Sequence, residues 1–338
     1  MALNYEVSPH LVAWELTRAC QLHCRHCRAR ALRHRNSDEL SIEEVEGVLD
    51  TMSAFDPLPR IIFTGGDPLE RDDLGAIIAA AVQRGHAVAL APSVTPRLTR
   101  PVLAEWAARG VGAVSLSLDG ATPAIHDGFR GVPGTHARTL EMARAVVEAG
   151  MRLQINTTVS EQTAADLVPL GTLVPTLGVS SWELFFIIPT GRAAATAWGG
   201  EDQDTVLRWL ARYRAAAAFR VTAVGAPQFA RYIDPDGPDL RAGRPPVMRE
   251  ARGMMFIDHV GDVYPSGYLP LSAGNVRTRP APALYRESGL FRGLRDNDRL
   301  AGRCGRCAWT SVCGGSRARA YAVSGDAWAE DPNCLLPV

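Results

Sequence analysis

The stretch 10–30, HLVAWELTRACQLHCRHCRAR, decides how the rest of the chain is read. It opens with a short apolar run of the length a buried strand needs. Immediately behind that run Cys20, Cys24 and Cys27 stand at C-x3-C-x2-C, three thiols in one loop. A structural zinc site normally closes with four ligands, and a four-iron cluster needs one ligand for each iron. Three thiolates therefore leave one iron open to a small molecule, or they form a three-cysteine zinc site.

Similar apolar runs return at 59–66, 86–93, 112–120, 153–159 and 182–189. Amphipathic segments lie between them at 41–52, 74–85, 100–110 and 137–150. Ser41 followed by Glu44 reads as a capping box. Gly85, Gly110 and Gly150 stand where three helices should end on a left-handed residue. Six strand–helix repeats predict an α/β fold with a parallel sheet curled as a partial (β/α)6, TIM-like barrel. An open doubly wound sheet uses the same units, but no G-x-G-x-x-G follows the first strand. After Pro189 the pattern changes to a helix over 201–218, a Pro- and Gly-rich connection at 234–246, a β-hairpin over 254–267 and a helical stretch over 280–294. The connection divides the chain into a barrel, 1–233, and a smaller C-terminal domain, 234–338.

Formal net charge is zero, with 36 basic and 36 acidic residues, and every basic residue is arginine. That balance argues against a general nucleic-acid binder. No window carries the roughly 18 apolar residues of a membrane helix, and the amino terminus does not read as a signal peptide. Seven cysteines in two tight groups suit metal ligation in a reducing, cytoplasmic compartment better than disulfides.

Further motifs follow the strands. FTGGDPLER (63–71) comes after the second, with Gly65, Gly66, Asp67 and Pro68; SLSLDG (115–120) ends the fourth, with Ser117 and Asp119 on one face. QINTTV (154–159) puts Gln154 and Asn156 on one face of the fifth, where buried polar groups need partners, and HDGFRG (126–131) carries Arg130. Taken singly, the turn and the strand end could be a plain β–α turn and a solvated terminus. Together with the cysteine spacing they resemble the radical S-adenosylmethionine (radical SAM) superfamily. The resemblance implies that SAM chelates the open iron of a [4Fe-4S] cluster and is cleaved reductively to a 5′-deoxyadenosyl radical, which takes hydrogen from substrate. It implies an electron donor such as flavodoxin or ferredoxin. It also implies SAM contacts from the Gly65–Gly66 backbone, the acid at Asp67 (glutamate in the family's usual motif), Pro68, Ser117, Asp119, Arg130 on the SAM carboxylate, Gln154 and Asn156. His26 stands where the family often has an aromatic residue near the adenine.

The tail holds Cys304, Cys307, Cys313 and Cys334 at C-x2-C-x5-C-x20-C, enough to close a zinc site or a cubane. This part resembles the SPASM and twitch extensions of radical SAM proteins, which implies a second, auxiliary [4Fe-4S] cluster. In the preceding hairpin Ser266 stands where the family commonly has cysteine, so one auxiliary cluster is expected rather than two. Over nearly the whole chain the closest resemblance is to the haem-biosynthesis branch. That implies a tetrapyrrole substrate and oxidative loss of CO2 from a propionate, with a surplus electron that must leave. A substrate with several carboxylates would suit Arg28, Arg30, Arg33 and Arg35 in the loop after Cys27, although such a run also reads as a solvated surface. His34 between them is a weaker candidate for a ligand to the substrate's iron. A peptide maturase and a small-molecule radical dehydrogenase are the alternatives. With 19 residues ahead of Cys20, no fused peptide-recognition domain is expected. A metal-binding protein without radical chemistry would explain the cysteines but not the motifs after strands two and four.

Overall fold

The computed structural model describes residues 4–195, 198–233, 248–335 and 337; the connection at 234–246 falls outside them. Nine strands form one sheet: β1 (Leu11–Glu15), β2 (Arg60–Thr64), β3 (Val88–Leu90), β4 (Ala113–Ser117), β5 (Arg152–Val159), β6 (Ser181–Phe186), β7 (Arg220–Val224), β8 (Met254–Ile257) and β9 (Val263–Tyr264). Their order is β7-β6-β5-β4-β3-β2-β1-β8-β9. From β1 to β7 every neighbour is the next strand in sequence and every pair is parallel. A doubly wound sheet needs a reversal of strand order, and none occurs there. The sheet curls into a TIM-like half-barrel. β8 then returns to pair in parallel with the other edge of β1, and β9 pairs antiparallel with β8.

The six expected strands are present, and β7, just beyond the helix expected over 201–218, is a seventh that the sequence left unassigned. The outer layer includes α1 (Ile42–Met52), α2 (Leu74–Gln83), α3 (Arg100–Ala108), α4 (Pro123–Arg130) and α5 (Thr135–Glu148). Ser41 caps α1 as its spacing predicts: Ser41 Oγ accepts from Glu44 N at 3.2 Å, and Glu44 Oε2 accepts from Ser41 N at 2.8 Å. The glycines at 85, 110 and 150 have φ of +83°, +90° and +80°, as a left-handed helix end requires. The stretch 280–294 is two helices, Ala281–Glu287 and Gly289–Arg295, broken at Ser288, whose hydroxyl accepts from Leu290 N.

Side chains alternate along each strand. Val12, Trp14, Ile61, Phe63, Ile155 and Leu184 point outward and join Leu49, Ile77 and Val146 of the helices in one core. Each such side chain contributes roughly 1.5–3 kcal/mol by leaving water. The intervening positions, including Arg60, Thr64, Ser117, Gln154, Asn156 and Glu183, face a cavity of about 1460 Å3. The polar positions of β2, β4, β5 and β6 thus become part of the wall of a chamber.

Candidate active site

Cys20, Cys24 and Cys27 all face this cavity from the loop after β1. Long-range bonds shape that loop. Gly66 N and Asp67 N donate to Thr17 O and Ala19 O, both at 2.7 Å. A Cβ at Gly65 would sit 2.5 Å from Thr17 O, and one at Gly66 2.3 Å from Ala19 O. The glycine pair therefore allows the β2 loop to lie against the cysteine loop, a close approach to backbone where the sequence suggested only an approach to ligand. Arg192, just after β6, clamps the other side: its Nη1 donates to Cys24 O at 3.1 Å and its Nη2 to Ala31 O at 2.8 Å.

Each thiol has a neighbour that favours thiolate. Leu22 N lies 3.4 Å from Cys20 Sγ, Ala31 N 3.4 Å from Cys27 Sγ, and Arg130 Nη1 3.7 Å from Cys24 Sγ. Ser93 Oγ is 3.3 Å from Cys20 Sγ. Burial nevertheless pushes the Cys20 thiol up to about 11, with the Ser93 and Leu22 contacts pulling the other way. A positive metal centre is what would make such a group a thiolate at neutral pH. Among the described residues no three His, Cys, Asp or Glu side chains close on a single ion. A cubane spreads its ligands over separate irons, so three thiols on one loop facing the cavity fit such a cluster.

The two acids expected to touch SAM are turned into the wall. Asp67 is fully buried and does not line the cavity. Its Oδ1 accepts from Leu69 N and Ser93 N, and its Oδ2 from Thr95 Oγ1 at 2.9 Å. Burial pushes its carboxyl up to about 6 against those three bonds. Pro68 opens the short 3-10 turn that Asp67 caps and is likewise withdrawn. Asp119 is fully buried, bonded to Arg130 Nε at 2.6 Å and to Thr158 N at 2.7 Å. Burial alone would raise the Asp119 carboxyl, but the Arg130 guanidinium holds it below the usual carboxylate range. Both acids hold the frame, whereas Gly65, Gly66, Ser117, Arg130, Gln154 and Asn156 reach the cavity. Gln154 Nε2 donates to Asn156 Oδ1 at 2.8 Å, and Gln154 Oε1 accepts from Ser181 Oγ at 3.2 Å.

His26 stacks on Phe129 at 4.3 Å with rings 7° apart, and its Nδ1 is buried without a partner among the described residues. Burial and then Arg130 push it down to about 3, so it is neutral. In the arginine run, Arg28 lines the cavity but is paired to buried Glu15 at 2.6 Å and lies 4.6 Å from the Phe256 ring centre. Arg33 binds Gln21 O and Arg35 binds Glu39. Arg30, Arg33, His34 and Arg35 do not line the cavity. The expectation that this loop gathers substrate carboxylates is thereby corrected, because its guanidinium groups are spent on the loop's own fold or stand outside the chamber. Ser93, Thr95 and Arg192 were missed by the sequence reading. Ser93 and Arg192 do have a signal, as each is among the first polar residues after a strand.

The tail builds a second constellation. Cys304, Cys307, Cys313 and Cys334 line one small pocket together with Arg231 and Arg303. Asp331 N, Trp309 N and Gly315 N each lie 3.4 Å from the sulfurs of Cys304, Cys307 and Cys313. Arg317 Nη2 and Arg231 Nη1 are 3.6 Å from Cys304 Sγ and Cys307 Sγ. Burial pushes Cys313 up to about 12. Four thiols around one pocket, three of them accepting N–H bonds, fit a fully ligated cluster. Trp309, Ser311 and Val312 of the same segment line the large cavity, as does Ser266.

A half-barrel that gathers three thiols at the carboxyl ends of its strands, beside a large polar-walled chamber, has the form of a metal-cluster enzyme. The model of the radical SAM superfamily matches residues 14–170. The AdoMet-dependent heme synthase of Nitratidesulfovibrio vulgaris is 37% identical across 96% of this chain and 91% of its own length. The pre-heme d1 synthase of Dinoroseobacter shibae is 31% identical across 96% of this chain and 86% of its own length. Among solved structures, SuiB of Streptococcus suis bound to S-adenosylmethionine superposes with a TM-score of 0.77 at 15% identity, covering 98% of this chain and 78% of that one. SuiB has also been solved with its precursor peptide SuiA. The chain belongs to the radical SAM superfamily and is an enzyme that uses a [4Fe-4S] cluster and SAM. Among the described residues no helix is long and apolar enough to cross a membrane.

Proposed function

We propose that the substrate is a tetrapyrrole and the reaction an oxidative loss of CO2 from propionate side chains in haem formation. The supporting observation is the whole-length 37% identity to a heme synthase. A chamber of about 1460 Å3 suits a molecule of that size. Cys20, Cys24 and Cys27 would hold the cluster that, with SAM bound, supplies a hydrogen-abstracting radical. Gly65, Gly66, Ser117, Arg130, Gln154 and Asn156 would contact SAM, while Asp67, Pro68 and Asp119 position them. Cys304, Cys307, Cys313 and Cys334, in a C-terminal unit beginning near residue 234, would hold an auxiliary cluster offering a one-electron acceptor beside the same chamber. A flavodoxin or ferredoxin would supply the starting electron, in the cytoplasm.

The test is anaerobic reconstitution followed by assay with SAM, dithionite and iron-coproporphyrin III. About eight irons per chain, 5′-deoxyadenosine, and a porphyrin lighter by one or two CO2 are expected. 5′-Deoxyadenosine beside an unchanged porphyrin would sink the tetrapyrrole reading. It would favour a second one, modification of a peptide, which draws on the likeness to SuiB.

A further inference from the structure

The wall of the chamber is graded, and its far end is not used by anything above. Arg60, Arg152 and Arg220 are the first residues of β2, β5 and β7, and all three line the cavity at the end opposite the cysteines. Arg60 Nε is shut off from solvent and has no hydrogen-bond partner among the described residues. Arg152 makes one long bond to Gly112 O, at 3.4 Å. None of the three forms an ion pair among the described residues. Each nevertheless acts on its neighbours: burial, then Arg152 and Arg220, push the Arg60 guanidinium below its ordinary value. The nearby acid is Glu183, whose carboxyl burial pushes up even with Arg220 and Arg60 beside it. Arg152 and Arg220 are exposed and Arg60 half-buried, so three like charges around one opening, with Glu183 as the nearby acid, favour an anion that joins them.

We propose that Arg60, Arg152 and Arg220 form a carboxylate-binding rim that grips the edge of the substrate remote from the reacting side chain. The proposal rests on the tetrapyrrole reading for the identity of that substrate. Guanidinium forks match carboxylates with paired hydrogen bonds. At 3.3 Å per residue, the five steps from Arg60 to Gly65 span about 17 Å, room for a macrocycle with one edge at the radical-generating end and the other at the rim. An enzyme that removes some carboxylates and leaves others needs its lasting grip on those it leaves. The rim has the chemistry for that role, and the 28–35 loop does not.

The experiment uses reconstituted holoenzyme and titrates iron-coproporphyrin III by its absorbance, with SAM affinity and iron content measured on the same samples. In the double variant Arg60→Ala/Arg220→Ala, porphyrin affinity should fall about a hundredfold, with SAM affinity and iron unchanged. If the double variant loses iron, Arg60→Lys and Arg220→Lys keep the charge and remove the fork. Each should then weaken porphyrin binding about tenfold. Equal porphyrin binding in wild type and folded variants overturns the rim and leaves the proposed function standing. If wild type does not bind the porphyrin, the tetrapyrrole reading falls, and propane-1,2,3-tricarboxylate becomes the probe. Calorimetric binding of that acid to wild type but not to the double variant would support the carboxylate rim, and binding to both or neither would overturn it.

Discussion

At the carboxyl end of the barrel one guanidinium reaches a thiol sulfur, that of Arg130 at Cys24 Sγ, and its charge is matched by Asp119 at 2.5 Å, while Arg192 meets only the Cys24 carbonyl. In the tail Cys304 meets Arg317 and Cys307 meets Arg231, and neither arginine pairs with a carboxylate among the described residues. Arg317 is fully buried, with its remaining donors on the carbonyls of Gly315, Ala327 and Ala329. Positive charge and N–H bonds at sulfur make a cluster easier to reduce. Balanced charge at the first site suits a strong donor, and unbalanced charge at the second suits an acceptor. With the same ligand type at both sites, a guanidinium paired with an acid at one sulfur and guanidinium groups without one at the others would separate two electron affinities.

The largest test of this comparison removes a ligand from each side. Cys24→Ser should abolish 5′-deoxyadenosine formation, whereas Cys313→Ser should leave SAM cleavage measurable and stop completion of the reaction, each variant holding about four irons in place of about eight. SAM cleavage lost equally in both would break the division of labour. Next is Arg130→Met, which strands Asp119 as an unpaired buried acid. Denaturant unfolding should show a loss of about 3 kcal/mol, together with weaker SAM binding by equilibrium dialysis. Unchanged stability would mean that the pair is not the frame described. Smaller again is Arg231→Met, which leaves the second site's ligands intact. Potentiometric EPR should find the auxiliary cluster's midpoint lower by on the order of 50–100 mV and the other cluster unmoved. A common shift in both would show that the guanidinium acts on the whole protein.

The smallest effect is expected for Asp67→Asn, which can keep all three hydrogen bonds. SAM affinity should change less than about threefold, because the carboxylate faces Thr95 and not the cavity. Its folded-state value of about 6 lies above the ordinary aspartate value of 3.8. The native carboxyl therefore adds stability below about pH 4 that is lost as pH rises through about 6. Urea unfolding of the cluster-free protein should show the Asn variant gaining on wild type across that window. A constant difference would contradict the buried placement.

The barrel was legible because its signals are local: a strand-length run, a Ser41 cap, a glycine after each of three helices. β7 was not, because its alternating R-V-T-A-V follows an alanine run that continues the helix pattern. α4 was hidden too; its signal is Pro123 at one end and Gly131, with φ +73°, at the other. The cysteines could be placed from spacing alone. The acids could not, since an aspartate at a strand end faces ligand or wall according to partners far along the chain. Asp67 is turned by Thr95, and Asp119 by Arg130 and Thr158. The arginine run at 28–35 misled for the same reason, as Glu15 and Glu39 claim its charges from outside the motif.

The return of β8 to β1 has a consequence for synthesis. Leu11 pairs with Met254, so the edge of β1 that will carry β8 stays bare until about 240 further residues have been made. At 5–20 residues per second that interval lasts roughly 12–50 s. During it a bare strand edge lies directly before the cysteine loop, and bare edges recruit other chains. Rapid overproduction should therefore convert nascent barrels into aggregates. Slow elongation lengthens the exposure, so it is sparse initiation, which keeps nascent chains apart, that lets each chain close its own seam.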